Sequence, residues 1–139
     1  MATWETVREV LRQLPGTEED PPGDRNVVRV DGKQIAYTTQ TARSRPEGFE
    51  GDEVLVVRIE LEDRVALIAE DPSLFAVTPH YEGYRGVLVR LPRVPRDVLR
   101  ELLIDAWLML APKRLVREVL AGPPGRVDGV WPANETDRG

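Results

Sequence analysis

Two runs rich in β-branched and aromatic residues flank the dipeptide Asp31-Gly32, and this pattern limits the possible folds more than any other feature of the chain. The runs cover Asn26–Val30 and Lys33–Thr38. Asp-Gly between two such runs is a strong hairpin signal, because both residues accept the positive φ that a two-residue turn needs. A tight hairpin joins antiparallel strands, so the sequence predicts an antiparallel sheet.

Strand and helix patterns alternate along the rest of the chain. Three further strands are predicted at Val54–Glu60, Leu74–Thr78 and Val87–Leu91. Helices are predicted from Thr3 to Leu14, over Leu61–Glu70 with Leu61, Val65 and Ile68 on one side, over about 95–110 with Leu99, Leu103 and Trp107 in its buried stripe, and from Pro112 to Leu120.

The predicted order is α-β-β-β-α-β-β-α-α. It describes a two-layer α+β fold, in which an antiparallel five-stranded sheet is covered by helices on one face. We expect a single domain over residues 1–121, followed by a loose polar tail over 122–139 in which Trp131 is the one candidate anchor. The acidic segment 17–24 is expected to be a loop.

Composition narrows the function classes. The 139 residues include no cysteine, which excludes disulfides, thiolate metal sites and a cysteine nucleophile. No apolar run approaches the roughly 20 residues that a membrane-spanning helix needs, and the first residues lack the order of a signal peptide. We therefore expect a cytoplasmic protein without a membrane segment, and we expect it to be a monomer.

The one histidine, His80, offers little for catalysis. A catalytic histidine needs a nucleophile and an orienting acid, and a metal site needs further ligands at fixed spacing. Neither pattern is present, so we expect no enzyme activity, no metal and no cofactor. His80, Tyr81 and Tyr84 could form a small-molecule site by ring stacking; the alternative is a backbone-bonded histidine and two tyrosines that cover a core edge.

Charge is unevenly distributed. The chain carries a net charge of −5, yet residues 85–117 hold eight basic and three acidic side chains. Side chains alternate along a strand, which places Arg29, Arg58 and Arg90 together on the sheet face opposite the helices. They could bind phosphates there, or they could pair with neighbouring acids such as Glu53 or Glu60.

Three binding functions follow from these observations. The leading one is weak, non-specific DNA binding through eight basic side chains: Arg29, Arg58, Arg85, Arg90, Arg93, Lys113, Arg114 and Arg117. The second is a protein-interaction module that presents its open sheet face, with Val27, Val56 and Leu88 as an exposed apolar patch. The third is the small-molecule site near His80. For the last helix, the alternative is a solvated face on which Arg114 pairs with Glu118.

Several stretches resemble the MmcQ/YjbR family. They are Ala69–Phe75, Thr78–Leu91 and Leu99–Leu115, and the helix that ends in Leu14-Pro15-Gly16 and the Asp31-Gly32 hairpin fit the same family. The resemblance covers about 1–120. It implies a two-layer fold with an antiparallel sheet against helices, and a DNA-binding label that rests on a double-wing arrangement of strands and turns. It supplies no catalytic motif.

Overall fold

The structure, a computed structural model, describes most of the first 121 residues. The described residues are 2–21, 23, 25–39, 46, 48–49 and 51–121, with the side chains of His80 and Ala121 left out. The predicted tail over 122–139, including Trp131, lies outside them. In the described part of the chain, no helix is long and apolar enough to cross a membrane.

One antiparallel sheet organises the molecule, as predicted, but the described residues form six strands in it and not five. In chain order they are β1 (Thr17–Glu19), β2 (Val27–Val30), β3 (Lys33–Thr39), β4 (Val54–Arg58), β5 (Phe75–Ala76) and β6 (Gly86–Arg90). Their order across the sheet is β1-β2-β3-β4-β6-β5, and every neighbouring pair is antiparallel. The sheet is open and has two edges.

The additional strand, β1, lies in the segment that the sequence predicts to be an acidic loop. Its three residues pair with β2, Thr17 opposite Val30 and Glu19 opposite Val28. Glu19 accepts hydrogen bonds from Arg8 at 3.0 Å and from Arg12 at 2.9 Å. Charged side chains are common on edge strands because they oppose pairing with other chains. Hydrophobic patterning therefore does not detect this strand.

The Asp31-Gly32 hairpin is confirmed. Both residues have positive φ, 54° and 77°, which matches the backbone of a two-residue hairpin turn. A β-bulge follows: Val28 pairs with Ala36 and Arg29 with Gln34, so Ile35 has no partner on β2. An extra residue in one strand shifts the alternation of its side chains.

In the part of the chain that the structure describes, four α-helices accompany the sheet: α1 (Trp4–Arg12), α2 (Leu61–Glu70), α3 (Arg96–Leu110) and α4 (Lys113–Ala121). The main core forms between them and one sheet face. Leu99, Leu103 and Trp107 of α3 are fully buried in it, as the helical stripe predicts. The Trp107 indole nitrogen donates a hydrogen bond to the carbonyl of Pro15 at 3.0 Å, which fastens α3 to the turn after α1.

Helix α4 packs against the same turn. Gly16 has a φ of +79°, and a β-carbon at this position would lie 2.6 Å from Leu115 of α4. Glycine is required here both for the left-handed backbone and for the close approach of the helix. The inner side of α4 is therefore held by Leu115 and by the buried Val119.

The orientation of α2 differs from the prediction. Leu61 and Val65 are exposed, Val65 to 67%, whereas Arg64 is buried. Leu67 and Ile68 pack against the main core. Helical periodicity identifies the apolar residues of a helix but not the tertiary partner that decides which face is buried.

Replacing Trp107 by alanine is expected to lower the free energy of unfolding by about 3–5 kcal/mol, because it removes a buried indole and leaves a cavity. Urea denaturation measures the change. Leu120→Ala is the control, since Leu120 is 68% exposed, and a change within about 0.5 kcal/mol is expected there. Equal losses in the two variants would contradict the core assignment.

Candidate functional site

The sheet face opposite the helices carries the three arginines that strand alternation predicts to share it. Each one already has a partner within the protein. Arg29 forms two hydrogen bonds to Asp20, at 2.8 and 2.9 Å. Arg90 donates to Asp52 at 2.5 Å, and Arg58 donates to the carbonyl of Arg85 at 3.0 Å.

The two carboxylates respond to these contacts. The hydrogen bond from Arg29 lowers the pKa of Asp20, and the bond from Arg90 lowers the pKa of Asp52. Arg93 adds a longer ion pair to Asp52, at 3.5 Å. Much of the positive charge on this face is thus balanced by the chain's own acids, although those acids are not Glu53 or Glu60.

The apolar side chains between these arginines are covered. Val27, Val56 and Leu88 are buried in a second cluster together with Phe49 and Tyr81. The prediction of an exposed apolar patch on an open sheet is therefore wrong. The cover comes from segments outside the strands, and strand alternation carries no information about such segments.

Three tyrosines lie at one end of this second cluster. Regular alternation would place Tyr37 on the same sheet face as Ile35, but the bulge at Ile35 moves Tyr37 to the opposite face, in the second cluster. The Tyr37 hydroxyl donates to the Tyr81 hydroxyl oxygen at 3.4 Å. The Tyr81 and Tyr84 ring centroids are 5.8 Å apart. Arg25 lies 4.4 Å from the Tyr37 ring centroid and Arg58 lies 5.0 Å from that of Tyr84. Burial raises the pKa of Tyr37.

The predicted small-molecule site thus contains packed aromatic rings. Tyr81 is buried and Tyr84 is partly buried, which agrees with tyrosines that cover a core edge. His80 lies in a short 3₁₀ turn, Pro79–Tyr81, and its side chain is outside the described part of the structure.

Arg64 holds this aromatic region in place, although no sequence pattern predicts this role. Its guanidinium donates to four backbone carbonyls: those of Tyr81 at 3.3 Å, Glu82 at 2.9 Å, Tyr84 at 2.9 Å and Gly86 at 3.1 Å. A planar guanidinium presents five donors in a fixed fork, which suits several carbonyls at once. The only available signal was an arginine among apolar residues of a helix.

The remaining basic candidates are dispersed. Arg85 lies 3.8 Å from Glu60, and Arg93 precedes α3. Lys113, Arg114 and Arg117 lie on α4, beyond the other end of α3, and are exposed. A helix of 15 residues is about 22 Å long, so the basic segment 85–117 is divided between two distant places.

A groove between α2 and α3 is a feature that the sequence did not predict. It encloses about 300 Å³, at the lower end of the range for ligand sites. Its floor is apolar and consists of Ile59, Ala66, Leu67, Val98, Leu102 and Met109. Carboxylates surround that floor: Glu60, Asp63, Glu70, Glu101 and Asp105. Arg58 also lines the groove. We call this feature the α2–α3 groove.

Four of the five acids of the groove lack an ion-pair partner within the described chain; the fifth, Glu60, lies 3.8 Å from Arg85. Among the described residues, Asp63, Glu70, Glu101 and Asp105 form no ion pair. Asp105 keeps a solvent-exposed edge, but partial burial, followed by the charges of Glu101 and Asp63, raises the pKa of its carboxyl. Within the described chain, no three acids or histidines are arranged to hold a metal ion. The groove combines apolar surface with four carboxylates that have no ion-pair partner among the described residues.

The fold and these surfaces define a two-layer α+β protein with an open antiparallel sheet. The family model named YjbR matches residues 12–109, so this chain belongs to the YjbR family. Its relatives include uncharacterized proteins Rv2570 of Mycobacterium tuberculosis (strain ATCC 25618 / H37Rv) and Mb2600 of Mycobacterium bovis, each 39% identical over 129 residues. The alignments cover 87% of this chain and 98% of each relative.

The crystal structure of Deinococcus radiodurans protein DR2400, with a family-model domain DUF419, has a similar fold. The TM-score is 0.61, and the match covers 94% of this chain and 88% of that one. At 22% identity this likeness establishes the fold alone. The family resemblance found in the sequence is confirmed.

Replacing Arg64 by lysine or methionine is expected to loosen segment 81–86. Each hydrogen bond to a charged donor contributes about 1.5–3 kcal/mol, and lysine cannot reach four carbonyls in this geometry. Amide hydrogen exchange should become faster at Tyr84 and Gly86, whose amides bond within the segment. Arg96→Lys, at an exposed position, is the control. Unchanged exchange rates in the Arg64 variants would show that segment 81–86 is ordered without the Arg64 hydrogen bonds.

Asp105→Asn is expected to raise the free energy of unfolding at pH 7. Because the folded protein raises the pKa of Asp105 above 3.8, folding disfavours the charged form. Stability from this group therefore falls as the pH rises through the folded pKa, and the variant removes that loss. The gain should vanish near pH 3, where aspartate is protonated in both states. Urea denaturation at both pH values, with Glu62→Gln as control, tests this; no gain at pH 7 would contradict it.

Proposed function

We propose that this protein is a non-enzymatic binding domain, and that its α2–α3 groove binds a basic protein segment that carries apolar side chains. The observation that supports this most is the groove itself, which has a volume of about 300 Å³ and combines an apolar floor with bordering carboxylates. An apolar floor favours a ligand that loses apolar surface to it, and the border favours a cation. A ligand with both properties fits the whole site.

The shape of the groove supports an extended or helical protein segment. On α3 its lining runs from Val98 to Met109. At 1.5 Å per residue this is about 16 Å, or three turns of helix. An apolar groove between two helices is a common binding site for an amphipathic helix.

Model peptides test this proposal. A fluorescein-labelled helix of lysine and leucine, with lysines on one face, should bind, whereas the same peptide with glutamate in place of lysine should not. Fluorescence anisotropy measures both affinities. In an NMR titration, the signals of Ala66, Val98 and Met109 should shift most.

Neutralising the groove should weaken that binding. In the triple variant Asp63→Asn, Glu101→Gln and Asp105→Asn we expect about tenfold lower affinity, since three exposed ion pairs contribute about 0.5 kcal/mol each. The matched control makes the same change in charge elsewhere: Glu18→Gln, Glu62→Gln and Glu82→Gln. Equal losses in both variants, or NMR shifts away from the groove, would reject the groove as the site.

DNA binding through the arginines is a separate hypothesis with its own test. The contacts of Arg29 and Arg90 with Asp20 and Asp52 leave less free charge for phosphates. A titration with duplex DNA at several salt concentrations compares wild type with Arg29→Ala, Arg58→Ala and Arg90→Ala combined. Low-salt binding that the triple variant weakens would favour DNA as the ligand of this face. No low-salt binding would remove the hypothesis.

A further inference from the structure

We propose that the segment that enters the α2–α3 groove is α4 of a second copy of this chain. This inference rests on the proposed function and names its partner. The two surfaces are complementary in charge and in apolar character, and they belong to the same molecule. Two copies can therefore supply both sides of the contact.

The outer side of α4 has the properties that the groove requires. Lys113, Arg117 and Leu120 are spaced i, i+4 and i+7, so they form one stripe, and Arg114 lies beside it. All four side chains are exposed, Leu120 to 68%. The three cations form no ion pair within the described residues.

An exposed leucine beside three unpaired cations is the counterpart of an apolar floor beside unpaired carboxylates. On the groove side, Asp63, Glu101 and Asp105 are available to the cations, and Leu102 and Met109 to the leucine. The stripe on α4 spans about 10 Å, which is shorter than the 16 Å wall of the groove.

The placement of the two surfaces favours a reciprocal dimer. Met109 lines the groove and precedes Lys113 by four residues, so α4 begins close to one end of the groove. The inner side of α4 is fixed at Gly16, which leaves the outer stripe available. When a surface and its complement lie side by side, a two-fold axis can form both contacts at once and close the assembly at two copies.

Sedimentation velocity of the full chain tests the proposal, from about 10 to about 300 μM protein and in about 50 and about 500 mM NaCl. We expect a dimer at low salt that dissociates as salt increases. The variant Arg114→Glu with Arg117→Glu should be monomeric, as should Asp63→Lys with Asp105→Lys. Each reversal makes the two surfaces of that variant alike in charge.

An equimolar mixture of these two variants should restore a dimer, because the acidic α4 of one fits the basic groove of the other and the converse pair is unchanged. Arg93→Glu with Arg96→Glu, at the other end of α3, is the charge-matched control and should dimerise like wild type. Leu120→Ser changes an exposed side chain and should weaken association without disturbing the fold. Circular dichroism checks that each variant is folded.

A wild-type chain that stays monomeric at about 300 μM in low salt would overturn the proposal, as would a dimer that neither charge reversal affects. The lysine–leucine peptide, tested on the same samples, separates the two proposals. If a monomeric chain binds the peptide in the groove, the groove is a binding site for another protein. If it does not, both proposals fail. DNA binding that α4 reversal abolishes while the association state is unchanged would assign α4 to nucleic acid instead.

Discussion

The guanidinium of Arg64 connects the parts of this structure on which its surfaces depend. It is a buried cation without a carboxylate partner among the described residues, and four backbone carbonyls of segment 81–86 satisfy its donors. Those bonds fix the segment that carries Tyr81 over the second sheet face. They also fix the rotation of α2, because the side of the helix that carries Arg64 must face the segment. Asp63, Leu67 and Glu70 then face α3, and the groove is the result.

The charged surfaces of the folded protein differ from the distribution of charge along the sequence. The arginines of the sheet are balanced by local acids, as Arg29 is by Asp20 and Arg90 by Asp52. Four of the five groove acids, all except Glu60, have no ion-pair partner among the described residues, and neither do the cations of α4. An overall charge of −5 therefore includes one acidic surface and one basic surface that are both unneutralised. Complementary patches of this kind direct association more than they stabilise a fold.

The family of this protein is established by sequence comparison, whereas its function has to be inferred from its surfaces. The YjbR match and the likeness to the Deinococcus protein establish the family and the fold. Related folds accept many functions, so function has to be argued from particular sites. Here the site that supports an argument is a groove between two helices. The sheet, which is the most regular part of the molecule, has both central faces covered.

The sequence by itself determined the local elements and their class. Asp31-Gly32 specified a hairpin because few residues accept its backbone, and the stripe of Leu99, Leu103 and Trp107 specified a buried helix because apolar side chains recur at its period. It also placed the sheet arginines on one face, since alternation along a strand is a local property. Only the tertiary structure decided that β1 pairs as a strand, that Tyr37 changes face at a bulge, and that Arg64 is buried while Val65 is exposed. Each of these depends on a partner distant in sequence, and the groove depends on how two helices lie relative to each other, so no local pattern encodes it.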